Sequence, residues 1–136
     1  MFTEEDSIKL LRNYRHIYMN DLQVILGYIQ LEKQDKAAEY IKRVSLMMDK
    51  ESKVYQLKDN DMKLIMIKGY IKARENFIVM TVDFNEDDNV MFARPDYIYI
   101  EKTLDKFISQ AAPSGSSELY LKLGYNGNAT LEKLKG

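Results

Sequence analysis

Between Thr3 and Gln34 the chain has no proline and carries apolar residues on two sides of what must be one long helix. At 100° per residue, Leu11, Tyr14, Tyr18, Leu22, Ile25 and Ile29 gather on one side, while Leu10, Ile17, Val24, Tyr28 and Leu31 form a second sector roughly a quarter-turn away. A helix resting on a single neighbour needs one apolar stripe, so two sectors require two packing partners. Thr3 stands ahead of Glu4, Glu5 and Asp6, an N-cap followed by carboxylates at the positive end of the helix dipole. A short break near Gln34–Lys36 leads to a second helix, about Asp35 to Val54, whose apolar stripe is Ala38, Ile41, Met48 and Tyr55 with Val44 and Met47 beside it. Two long helices joined by so short a link form an antiparallel hairpin. The second helix can cover one sector of the first; a second copy of the chain would cover the other, giving a four-helix bundle from a homodimer.

The third side of the first helix is polar from end to end. It carries Lys9, Arg12, Asn13, His16, Asn20, Gln23, Gly27, Gln30 and Gln34, with no Asp or Glu, in a chain that has 21 acidic residues. An ordinary solvated face mixes signs and holds opposite charges four residues apart; this one reads as a surface for an anionic partner. His16 is the single histidine and lies away from the apolar seam, so it should reach solvent. Gly27 sits on the same side, where glycine costs about 1 kcal/mol relative to alanine, and a close approach by a partner would justify it. The plainer readings are an idle surface histidine, a neutral glycine, and core roles for Tyr14 and Tyr18.

Beyond the hairpin the pattern changes. Leu57–Asp61 reads as a linker, Met62 to about Glu75 as a helix, and Phe77–Phe84 as a strand rich in β-branched and aromatic residues. Asn85–Asn89 reads as a polar turn, the segment after Pro95 as a helix with Asp96 as N-cap, and Pro113–Ser117 as a loop. Glu118–Asn126 alternates like a strand, and Asn126-Gly127-Asn128 signals a hairpin into one last strand. The fold class is therefore α+β: a helical hairpin over residues 1–57, then a small α/β unit over 61–136.

Composition narrows the chemistry. A length of 136 residues suits one domain or two small units sharing a core. A net charge of −1 supplies no basic field for nucleic acid. The absence of cysteine excludes thiol nucleophiles and cysteine-ligated metals. The acidic N-terminus lacks a signal-peptide pattern, and no apolar run approaches the roughly 18 residues that span a bilayer, so a cytoplasmic protein without membrane contact is expected. With one histidine, hydrolytic or metal chemistry would fall to carboxylates such as Glu86, Asp87 and Asp88, a run that reads better as a solvated turn.

Arg15-His16, Asn20, Leu22-Gln23, Ile25 and Gly27 together read R-H-x-x-x-N-x-L-Q-x-I-x-G. This resembles the phosphoacceptor helix of the sporulation initiation phosphotransferase B family and of the related citrate-type sensor histidine kinases. The likeness covers about the first 55 residues, and ESKVYQLK at their end is also similar. It implies a dimeric four-helix bundle in which His16 takes a phosphoryl group from the aspartyl phosphate of one response regulator and passes it to another. Asn20 and Gln23 would line the docking surface for the receiver domain, with Gly27 beyond them and Lys9, Arg12 and Arg15 adding attraction at the rim. Magnesium would sit in the partner's acidic pocket, so no cofactor is expected on this chain. The family usually places a carboxylate directly after the histidine; here that residue is Ile17, which argues against autophosphorylation and leaves open a non-catalytic protein that binds a regulator or kinase. The second half resembles a reduced histidine-kinase ATP-binding domain. IEKTLDKFISQAA aligns with a kinase helix, but Lys106 and Phe107 replace its magnesium-holding asparagine and the small residue after it. No glycine-rich lid follows.

Overall fold

A computed structural model describes residues 3–85, 91–115 and 118–135. Helix α1 (Glu4–Gln30) and helix α2 (Gln34–Ser52) form the expected hairpin, and α2 runs on into a 3-10 turn, Lys53–Gln56. Thr3 caps α1 as its sequence suggests: its hydroxyl accepts from the Asp6 amide at 3.1 Å, and the Asp6 carboxylate accepts from the Thr3 amide at 3.0 Å. The link lies earlier than the expected Gln34–Lys36, at residues 31–33. α1 ends at Gln30, Glu32 adopts φ 59°, and Gln34 already belongs to α2.

Helix α3 (Asn60–Glu75), strand β1 (Val79–Phe84), helix α4 (Arg94–Ala111) and strands β2 (Glu118–Asn126) and β3 (Asn128–Lys135) complete an α+β fold. The sheet runs β1-β2-β3, with β1 and β2 parallel and β2 and β3 antiparallel. Parallel neighbours need a crossover, and α4 supplies it. Gly127, at φ +82°, turns the β2–β3 hairpin between Asn126 and Asn128. The Asn85–Asn89 turn, including Glu86, Asp87 and Asp88, falls almost wholly outside the described residues, as does the end of the Pro113–Ser117 loop.

The linker and the α4 cap differ from the sequence reading, for the same reason. Asp59 is not a linker residue but the N-cap of α3, only 1% exposed. Its carboxylate accepts from the amides of Asp61, Met62 and Phe92 at 2.9–3.2 Å and from the Tyr97 hydroxyl. Asp96 is not the N-cap of α4; Ala93 is. Asp96 lies one turn in, and its carboxylate reaches back to the Ala93 amide and out to the Ala129 amide, both at 3.1 Å. Each acid satisfies a distant backbone donor as well as its own helix end, a double duty that local pattern does not display.

One apolar cluster joins the two halves. Ile17 of α1, Val54 and Leu57 belong to the same buried core as Met62, Met66, Met80, Ile100, Leu104 and Leu121, with Leu10 and Tyr14 packed against it. Helices α3 and α4 approach closely at Gly69, where an added Cβ would stand 2.4 Å from a methyl of the buried Leu104. Gly69→Val should therefore lower stability by about 1–3 kcal/mol, read as a reduced urea midpoint with an unchanged m-value.

Candidate phosphoacceptor surface on the first helix

The rotation of α1 is set by what it buries. Ile17 is 7% exposed and Asp21, one turn later, is also buried. Adjacent helical residues point 100° apart, so burying Ile17 turns His16 outward, and His16 is exposed. Arg12, Arg15, Asn20 and Gln23 are exposed as well, while Gly27 is half-buried. His16, Asn20, Gln23 and Gly27 follow one another at steps of four, three and four residues and so share a side of the same helix. Gln34, read as the far end of this stripe, stands instead at the start of α2.

The other end of the stripe is not open. Lys9 and the half-buried Asn13 border a groove of about 500 Å³ whose other walls are α3 and α4. Lys68, Lys72 and Lys102 line it, and so do Glu75, Glu101 and Asp105. Lys72 is paired with Asp105, and Lys68 stands 4.0 Å from Glu101. Freedom from acidic residues is thus a property of this one face of α1, not of the surface around it; near Lys9 the surface is mixed.

Gly27 has no steric cause among the described residues. A Cβ there would meet nothing within 4 Å. Gly69, by contrast, is required by its neighbour. Gly27→Ala should stabilise the isolated chain by up to about 1 kcal/mol through helix propensity, measured as a rise in thermal midpoint.

The two apolar sectors separate cleanly in part. The Ile17 sector faces the C-terminal core, although Val24 and Leu31 remain exposed. The other sector lies open: Leu11 is 68% and Leu22 62% exposed, with Tyr18 and Ile29 also uncovered. Tyr18 is therefore not a core residue of the single chain; Tyr14, stacked on it at 5.9 Å, is half-buried. The stripe Ile41 and Met48 of α2 and Tyr55 of the 3-10 turn also faces out, Tyr55 at 55%, as does Ala38, and Ala37 and Met47 beside it pack inward.

Three polar groups beneath α1 escaped the sequence reading. The Asp21 carboxylate accepts from Nη2 of Arg74 on α3 and, at 2.8 Å, from the hydroxyl of Tyr40 on α2. Burial, and then this bond to Asp21, push the Tyr40 hydroxyl up to about 12. The Arg74 guanidinium also lies 5.8 Å from the Tyr18 ring centre. The available signal was that Asp21 follows Ile17 by four residues and so interrupts the second apolar sector. Its partner stands 53 positions away, beyond any local pattern.

Residues 3–57 match the family described as "Sensor kinase SpoOB-type, alpha-helical domain". The match supports the family resemblance carried by the His16 motif, and it spans α1, α2 and the 3-10 turn. The hairpin is thus similar to the alpha-helical domain of SpoOB-type sensor kinases. No curated protein sequence matches the chain significantly. No helix among the described residues is long and apolar enough to cross a membrane.

Proposed function

We propose that the chain is a phosphorelay histidine phosphotransferase acting between response-regulator receiver domains in the cytoplasm, with His16 as the phosphoacceptor. The observation that carries this reading is the outward position of His16 on a helix whose phase is fixed by the buried Ile17 and Asp21. A neutral imidazole nitrogen attacks the phosphorus of an aspartyl phosphate; the P–N bond forms as the bond to the aspartate oxygen breaks, and the carboxylate leaves. The reverse reaction delivers the group to a second aspartate. Such transfer depends mainly on positioning and charge, and a rigid helix holds its nucleophile better than a loop does. Arg12 and Arg15 would attract the anionic pocket, while Asn20, Gln23 and Gly27 would form the contact surface. Magnesium would be supplied by the regulator.

The working unit of this proposal is a homodimer. Leu11, Leu22 and Ile29 on α1, with Ile41, Met48 and Tyr55 on the second arm, present an open apolar face. Each large side chain buried there contributes on the order of 1–2 kcal/mol, and a full set on both partners is of the size needed to offset the cost of association. The α/β unit serves as a reduced ATPase-like remnant without nucleotide chemistry. Lys106 is exposed on α4, while Phe107 packs against the core, so neither is arranged to hold a metal-bound phosphate.

A non-catalytic protein of the same fold, binding a regulator or kinase, is the second reading, and Ile17 favours it. The two readings separate in one assay. His16→Gln should abolish labelling by a phosphorylated receiver domain and leave the dimer intact. A wild-type chain that binds the receiver but takes no acid-labile phosphate would establish the second reading, and labelling that persists in the variant would place the acceptor elsewhere. Gly27→Arg should weaken receiver binding at least tenfold without loss of helix content, measured by calorimetry and circular dichroism. Leu22→Glu should convert the dimer to a monomer in sedimentation analysis; an unchanged mass would remove this face from the interface.

A further inference from the structure

With His16 as the phosphoacceptor, the reading on which this rests, we propose that the groove between α1, α3 and α4 is the selective half of the receiver-docking surface. Lys102 draws the anionic receiver in, and Glu75 turns away partners of excessive negative charge. The α/β unit then serves recognition.

The acceptor strip is too small to hold a receiver domain alone. From Lys9 to Gly27 it runs about 27 Å along one helix, and a helix is only about 10 Å wide. A stable protein interface takes about 800 Å² from each partner, well over the area of that strip. On one flank lies the open apolar face of Leu11 and Leu22, which the proposed homodimer takes. On the other lies the groove. Asn13, one turn before His16, lines it, and so does Lys9 one turn earlier still. A partner seated over His16 extends past these two residues onto the walls that α3 and α4 supply.

The charges in the groove are of two kinds. Lys72 donates to Asp105 and, at 3.0 Å, to the Ser109 hydroxyl, while Lys68 stands 4.0 Å from Glu101. These groups answer one another. Lys9 on α1, Lys102 on α4 and Glu75 on α3 line the same groove and are exposed. None of the three forms a hydrogen bond or ion pair among the described residues. Glu75 also stands in the last turn of α3, the negative end of the helix dipole, where a carboxylate is disfavoured. Helix stability therefore does not account for it. Complementary charge steers an encounter, and a like charge placed against the wrong partner supplies discrimination. Against an anionic receiver, Lys9 and Lys102 attract and Glu75 repels.

The test is the affinity of the full chain for a receiver domain that labels His16, measured by calorimetry at low salt and at about 1 M salt, where screening is nearly complete. Lys102→Glu should weaken binding at least tenfold at low salt, and most of that loss should vanish at high salt. A folding defect would persist at both. Glu75→Gln should tighten binding at least threefold, a gain that damage to the fold does not produce. Lys133→Glu makes the same change of charge on β3, away from the groove, and should leave the affinity within twofold. Unchanged affinity in Lys102→Glu or in Glu75→Gln, or an equal loss in Lys133→Glu, overturns the proposal and leaves the groove to another occupant. If no receiver domain labels His16, the phosphotransfer reading falls and this surface falls with it. Labelling by a receiver whose affinity ignores Lys102 and Glu75 sinks the groove alone.

Discussion

The burial of Ile17 governs the rest of the molecule. It belongs to the apolar core that α3, α4 and the sheet build, and a helix offers no freedom to bury one residue without turning its neighbour a fixed angle away. One contact therefore docks the hairpin on the α/β unit, aims His16 at solvent, and leaves the Leu11–Leu22 side uncovered. It also accounts for an apolar residue at position 17, where the family that the His16 stretch resembles usually has a carboxylate. A carboxylate at position 17 would stand in a hydrocarbon interior, where an unpaired charge is strongly disfavoured.

Polar groups at the junction reinforce that contact and make it specific. Asp21 lies one turn beyond Ile17 and meets Arg74 and Tyr40, so a residue from each of α1, α2 and α3 shares one hydrogen-bonded cluster. Phe77 adds a second tie. It occupies φ 55° at the turn between α3 and β1, and its ring stacks on Tyr40 at 5.5 Å and lies 5.6 Å from the Arg43 guanidinium. A bulky residue in the left-handed region is strained, and the contact with α2 compensates for it.

Local rules made the hairpin, the Thr3 cap, both α/β helices and the Asn-Gly-Asn turn legible, because each depends on residues within a few positions of one another. They failed where one side chain answers two parts of the chain. Asp59 caps α3 and also holds Phe92 and Tyr97; Asp96 serves its own helix and Ala129 of the last strand. The outward placement of His16 was readable from helical phase. The groove beside Lys9 was not, since its walls of mixed charge come from α3 and α4. Periodicity also showed that α1 has two apolar sides, but only tertiary packing decided which of them the α/β unit takes.

The shared core bears on how such a chain can be recombined. Severing it between Asp59 and Asn60 would strip Ile17, Leu10 and Val54 from the interior of the second part, and would remove from α3 the buried acid that starts it. Neither fragment would retain a closed surface. Exchange of this hairpin onto an unrelated partner would therefore require a replacement for the floor beneath α1.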